Sequence, residues 1–417
     1  MNFSLRLRLS FMMLLQYFIW GAWYVTLGTW LATSLRFSGQ QIGLAAGTTA
    51  VGAIIAPFFV GLVADRLFKT QRVLSFLHIV GAALLFLASF QTSFLLFYLI
   101  VLVYCLCFMP TLALTNSLAF RHMQSPQEQF GSIRVLGSGG WILAGLLIGT
   151  LRLEATAIPM RLAAAASLLM GVYCLTLPDT PPLARATKLS LGSIFPREAV
   201  NLLRERSMLV FALASFLICI QLQFYYAFTN LFLNQAGVRN AAGKMTGGQI
   251  SELLCMLLIP WFFRRLGVKY MLAAGMFAWV VRYLFFAYGN VDERMWMLWA
   301  GILLHGICYD FFFVTGQIYI DRKAAVSLRA SAQGLITFIT YGLGMFVGSW
   351  LSGAVVSHHA LAVPQGGQTY DWKAIWIFSA YASVLVLILF LLSFSDHDTD
   401  KGTSLQSAEA TSVQVQQ

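Results

Sequence analysis

Four ionisable residues stand inside long apolar stretches of this chain: Arg134, Glu252, Arg282 and Asp310. Glu252 lies in "GGQISELLCMLLIP", which otherwise reads as a membrane helix. A carboxylate at the centre of such a helix costs about 2.5–3.5 kcal/mol to insert, and intramembrane charges are by default candidates for function. Helical spacing gives each one company. Arg134, Ser138 and Trp141 share a face at i, i+4 and i+7. Gln223, Tyr226 and Asn230 do the same at i, i+3 and i+7, and Gln249 stands one turn before Glu252. Asp310, Phe313 and Gln317 share a face with Tyr309 and His305 nearby. Gln16, Trp20 and Trp23 fall on another, and Thr111 and Thr115 follow Pro110.

Amides, a guanidinium and carboxylates supply directional donors and acceptors, and the aromatics supply flat surfaces. That set suits a neutral, hydroxyl-rich small molecule with a planar part. It is too polar for a lipid, and its aromatics would be idle around an inorganic ion. A carboxylate in a low-dielectric site is suited to exchanging a proton, so Glu252 and Asp310 point to proton coupling. Taken singly, hydroxyls and amides such as Ser138, Thr111, Thr115 and Asn230 also serve as helix–helix hydrogen bonds. Arg282 reads as snorkelling or pairing within its own bundle, and His78 and His305 as satisfied core histidines.

The elements that must position these residues are membrane helices. The chain has 417 residues, of which 59% are hydrophobic and 10% charged; soluble domains carry about 25% charged residues. Apolar runs of helical length predict about twelve spans, at 9–34, 41–64, 73–92, 95–120, 134–151, 158–177, 208–234, 245–263, 270–289, 295–320, 330–355 and 374–395. The net charge of +11 is scattered through the loops and reads as a topology signal, not a nucleic-acid patch. Lys and Arg concentrate in alternate loops, which predicts both termini inside. The basic N-terminal stub lacks a small-residue cleavage site and is read as opening a retained first helix. The six cysteines lie in apolar runs without metal-ligand spacing, so no metal or cofactor is expected. Walker, GxSxG and HExxH motifs are absent, which argues against an enzyme. Four regions follow: a six-helix bundle at 1–177, a cytoplasmic linker at 178–207, a second bundle at 208–395 and a disordered tail at 396–417. The halves echo one another. "APFFVGLVADRLFKTQRVL" and "IPWFFRRLGVKYML" both run proline, aromatics, basic turn and new helix, as in transporters built from parallel repeats.

"GLVADRLFKTQRV", with Gly61, Asp65 and Arg66, is similar to the cytoplasmic gate motif of the major facilitator superfamily. "FMPTLALTNSLAF", "IRVLGSGGW", "QISELL" with "LIPWFFRRLGVK", "CYDFFFVTGQIYID" and "RASAQGL" together resemble the nucleoside:H+ symporters within it, over nearly the whole chain. The resemblance implies a major facilitator fold of two pseudo-symmetric six-helix bundles. It also implies proton-driven import of nucleosides across the bacterial inner membrane by a monomer. It places the substrate among Arg134, Ser138, Trp141, Gln223, Tyr226, Gln249, Glu252, Tyr309 and Asp310. Two positions depart from the family: Tyr226 stands where the nucleoside permeases have an asparagine, and Trp141 where a well-known member has a smaller ring. Both narrow the pocket, which leaves a sugar or glycoside as the alternative substrate class.

Overall fold

The computed structural model describes residues 3–59, 68–182, 197–362 and 368–395. Apart from one short hairpin, its regular structure is helical. In chain order the main helices are α1 (Phe3–Thr33, with a turn after Tyr24), α2 (Gly39–Phe59), α3 (Thr70–Ala88), α4 (Phe94–Arg121), α5 (Pro126–Thr150), α6 (Ile158–Cys174) and α7 (Arg206–Gln235). Ala241–Tyr288 follows as 48 helical residues broken at Gly267, whose φ of 66° is open to glycine without strain. Its arms, 241–266 and 268–288, are α8 and α9. Then come α10 (Met295–Lys323), α11 (Arg329–His358) and α12 (Trp372–Ser393). Nine helical stretches among the described residues are long and apolar enough to cross a membrane, counting α8 and α9 as one, and α6 is a shorter apolar helix.

The expected spans and the observed helices agree to within four residues except at α1, which starts at Phe3 and not near 9, at the end of the second span, where 60–64 lie outside the described residues, and at α5. The apolar run starts near 134, but the helix starts at Pro126, which fits the first helical turn because its missing N–H has no partner there in any case. Arg134 therefore sits two turns inside α5 and does not open it. The hairpin, Ala360–Ala362 against Gln368–Tyr370 with Ala360 opposite Tyr370, was not expected from the sequence. The proposed gate motif Gly61, Asp65 and Arg66, most of the linker and the tail from 396 lie outside the described residues.

Helices of the first half pack mainly on one another, as α1 on α5 and α6, α3 on α4 and α6, and α2 on α4. Inside that group His78 is held on both sides. Its Nδ1 lies 3.2 Å from Ser167 Oγ and its Nε2 3.0 Å from Gln16 Oε1, while Gln16 Nε2 donates to Thr111 Oγ1 at 2.8 Å. It is a satisfied core histidine, as expected. The two halves of the chain meet through α2 on α11, α5 on α8, and the end of α1 on α7. The contact is tight at one end. A Cβ on Gly43 of α2 would come within 2.8 Å of Gly353 Cα on α11, and Ser357 Oγ of α11 accepts the Gln40 N–H at 2.6 Å. Toward the other end, a Cβ on Gly139 of α5 or Gly334 of α11 would meet no atom within 4 Å. Among the described residues the halves are thus closed at the end carrying residues 34–40 and 151–157, while Gly139 and Gly334 face open space.

Candidate functional site

The candidate residues come from α5 of the first half and from α7, α8 and α10 of the second; α5 and α7 meet the opposite half directly, as does α8. Gly306 sets the α8–α10 distance. A Cβ there would lie 2.5 Å from the Ser251 carbonyl, and the Gly306 N–H donates to Ser251 Oγ at 3.0 Å. That close approach puts His305 and Tyr309 of α10 beside Glu252 of α8.

Glu252 is half-buried, with its side chain 23% exposed, and its Oε2 lies 4.0 Å from His305 Nε2. It also feels the charge of Arg134 from the other half. No ion pair within 4 Å joins Arg134 to a carboxylate among the described residues. Its guanidinium instead lies over the Tyr17 ring, 3.9 Å from the centroid, at the seam. Asp310 is fully buried and neither carboxylate oxygen has a hydrogen-bond partner. It opens a π-helical turn, Asp310–Val314, a distortion that is frequent at functional sites. Its charge is coupled to that of Glu252. Tyr309, next to it, accepts a hydrogen bond from the Tyr341 hydroxyl at 2.8 Å and is within electrostatic reach of Glu252, Arg134 and Tyr17.

The aromatic wall is continuous. Trp141 meets Trp20 edge-on at 5.6 Å, Trp20 lies 6.2 Å from Tyr24, and Tyr24 6.2 Å from Tyr226 across the seam. Tyr226 lies 6.3 Å from His305. Gln223 is fully buried, and its carboxamide makes no hydrogen bond of normal geometry, although the Tyr24 hydroxyl is a polar neighbour. Ser138 and Gln249 are half-buried. Phe313 and Tyr341 also line an open cleft, together with Ser215, Gln317, Gln333 and Thr340.

The structure therefore brings Arg134 and Tyr309 within electrostatic range of Glu252, and Glu252 within range of Asp310, and carries Trp141 and Tyr226 on one aromatic wall. Two sequence readings change, at Gln317 and His305. Gln317 does not share the buried face of Asp310: the π turn rotates it outward, and it is exposed. His305 is not a satisfied core histidine, because its Nδ1 is buried without a partner while Nε2 faces Glu252. Its ring stacks on Tyr225 at 5.2 Å. Arg282 pairs within its own half, as expected: Nε donates to the Gly301 carbonyl at 3.0 Å and the guanidinium lies over Tyr225 at 4.2 Å, with both terminal nitrogens unpartnered.

Glu154 escaped the sequence reading, which left it in a loop between spans. It is 4% exposed, accepts from the Ala242 backbone N–H at 3.0 Å and from Asn230 Nδ2 at 3.1 Å, and is also bonded by Asn234 Nδ2. The signal that could have found it is the pair Asn230 and Asn234, one turn apart on α7 with their donors on one face.

A family model described as "Nucleoside H+ symporter" matches residues 1–399. YegT of Escherichia coli (strain K12) is 41% identical over 403 residues, covering 94% of each chain. The xanthosine permease of the same organism is 33% identical, covering 95% of this chain and 98% of that one. Its nucleoside permease NupG is 30% identical, covering 94% and 96%. A crystal structure of the nucleoside transporter NupG superposes with a TM-score of 0.85 at 29% identity, over 95% of this chain and all of that one.

Proposed function

The chain belongs to the nucleoside H+ symporter family, and on that premise we propose that it imports nucleosides with protons by alternating access, through the site between α5, α7, α8 and α10. The observation that carries the reading is the pair Glu252 and Asp310. Two carboxylates are coupled in charge, one of them fully buried without a partner, and the Arg134 guanidinium lies within electrostatic range of Glu252 but pairs with neither. Leaving such groups unpartnered is costly in a purely structural role and makes sense where substrate and proton complete the set. In this reading Arg134, Ser138, Gln223, Gln249 and Tyr309 orient the polar substrate, Trp141 and Tyr226 face its planar part, and Glu252 or Asp310 carries the proton.

The same reading takes the chain as a monomer with twelve transmembrane helices in two bundles, 1–177 and 208–395, and with both termini inside. It is supported by the seam packing and by the lysines and arginines concentrated in alternate loops. The closed end then faces outward and the opposite end faces the cytoplasm, across the inner membrane of a bacterial cell.

Tyr226 favours a second substrate reading. A phenol in place of an amide removes a bidentate partner for a base and adds a ring face of the kind that binds a sugar, so a glycoside remains the competing class. Uptake of labelled uridine into proteoliposomes, with competition by a panel of nucleosides and sugars, separates the two. Accumulation driven by an inward proton gradient and blocked by nucleosides supports the lead reading. Inhibition by sugars alone overturns it.

A further inference from the structure

We propose that Glu154 is a working residue of the transport cycle: a latch that holds the two halves together at the closed end and must release for that end to open. The proposal rests on the alternating-access reading above and goes beyond the substrate site, from which Glu154 is separate.

The geometry is one-sided. Glu154 follows α5 and belongs to the first half of the chain. Each of its three donors belongs to the second half: Asn230 and Asn234 on α7 and the Ala242 N–H in the first turn of α8. Oε2 takes the two amides and Oε1 takes the backbone N–H. The seam is doubled beside it, where Thr29 Oγ1 of α1 donates to Asn230 Oδ1 at 2.5 Å. Asn234 Nδ2 also donates to the Asn230 carbonyl at 2.9 Å, which fixes the two amides as one unit. Asn240, in a left-handed conformation with φ of 57°, caps α8 by accepting the Gly243 N–H at 3.1 Å and turns that first helical turn toward α5. Gly149 of α5 admits this approach, since a Cβ there would overlap the Asn240 side chain and come 2.5 Å from the Gly243 nitrogen. Among the described residues no basic side chain pairs with Glu154 within 4 Å. Its charge is balanced by N–H dipoles from the opposite half alone. Separating the halves strips all three donors at once and wets the carboxylate. A contact that forms and breaks as a unit in this way is suited to a two-state gate, and charge-assisted bonds are the stronger kind.

The test is accessibility. Thr246 of α8 lies at the α5–α8 seam, buried and outside the Glu154 contacts, its methyl group facing Gly145 of α5. In the full-length protein, Thr246→Cys is reacted with a soluble maleimide and its modification rate is read by site-resolved mass spectrometry. Glu154→Gln, which keeps one acceptor but loses the charge, is expected to raise that rate roughly tenfold. Asn234→Leu, which removes a donor from the other side, is expected to raise it as well, and the double variant to add little beyond Glu154→Gln. Because Asn234 is only half-buried, its variant keeps the proposal testable should Glu154→Gln fold poorly. Unchanged labelling in both variants overturns the latch, whether or not the melting temperature falls. No substrate or proton gradient enters the measurement, so its failure is distinct from a failure of the nucleoside reading.

Discussion

At the scale of single residues, the seam carries two carboxylates in different surroundings. Glu252 is partly exposed and faces a histidine, whereas Asp310 is sealed in a π turn without a donor. Proton coupling through either predicts that the neutral amide separates exchange from accumulation. Asp310→Asn is expected to abolish gradient-driven accumulation while leaving counterflow of labelled for unlabelled nucleoside within about tenfold of wild type, and Glu252→Gln to do the same if it is the carrier. Uptake with and without a pH step, in the same vesicles, reads both. Loss of exchange together with accumulation would instead make the residue a substrate ligand. Tyr341 gives a smaller, cleaner effect. Its hydroxyl donates to Tyr309 at 2.8 Å, and a net hydrogen bond is worth about 1 kcal/mol. Tyr341→Phe is therefore expected to raise the KM for uptake about fivefold by freeing Tyr309, with the proton dependence intact. At this scale the sequence was informative wherever a charge had to be explained, because hydrophobic surroundings make Arg134, Glu252 and Asp310 conspicuous. It was silent on Glu154, whose burial comes from asparagines on a helix that contacts it only in three dimensions.

At the scale of elements, hydrophobic run length located the helices well, since a bilayer demands apolar stretches of known length. It could not locate the first turns of α5, because "PQEQFGSI" is polar and its helicity follows from continuation of the backbone hydrogen bonds, not from apolar burial. Nor did periodicity reveal the π turns at Asp310–Val314 and Phe338–Gly344; one inserted residue per turn breaks the spacing on which face assignments rest. The close approach of α8 and α10 at Gly306 holds the site together, so Gly306→Val is expected to lower the melting temperature by several degrees and to abolish uptake. A further tie joins the start of α3 to the segment after α6. Lys69 Nζ and Gln71 Nε2 both donate to Asp179 at 2.7 Å, and His122, which caps α4, lies 2.8 Å from Thr180 Oγ1. The hydrogen bond from Lys69 holds the Asp179 carboxyl below the usual carboxylate range, and burial holds the His122 imidazole below its usual range. Both values are depressed on folding, so each group stabilises the tie fully above its ordinary value and loses that contribution as pH falls through its folded value. Asp179→Asn is therefore expected to melt slightly below wild type at pH 7, with the difference vanishing as the pH drops below about 4, the ordinary aspartate value. A difference that grew on acidification would reverse the sign and refute the assignment.

At the scale of the whole molecule, one sequence must support two packings, and the seam shows how it keeps both within reach. The closed end is zipped by small residues and by hydrogen bonds that water can replace: Gly43 against Gly353, Gln40 to Ser357, Thr29 to Asn230, and the Glu154 cluster. Small residues gain attraction from close contact without interlocking large side chains, so separation leaves no deep cavity. The lipid-facing exterior, by contrast, is rich in exposed leucine and phenylalanine and need not change. This division predicts the effect of a wedge. At Gly43 even a Cβ would come within 2.8 Å of the Gly353 backbone, so Gly43→Phe cannot be seated with α2 and α11 in their present contact. The fold need not fail, because α2 also packs on α4 within its own half. The halves are instead expected to part at this end and stay parted. Net uptake and exchange should both fall by at least about a hundredfold, since a shift of roughly 3 kcal/mol between the two packings moves the population that far. Nucleoside binding to purified protein should persist within a few-fold, because the proposed ligands Arg134, Glu252 and Tyr309 are untouched. Thr246→Cys placed in the same chain should react with maleimide faster than it does with Gly43 intact. Binding lost along with transport would mean that the wedge had disrupted the site itself, and that the closed end is part of the pocket's architecture and not a separate gate.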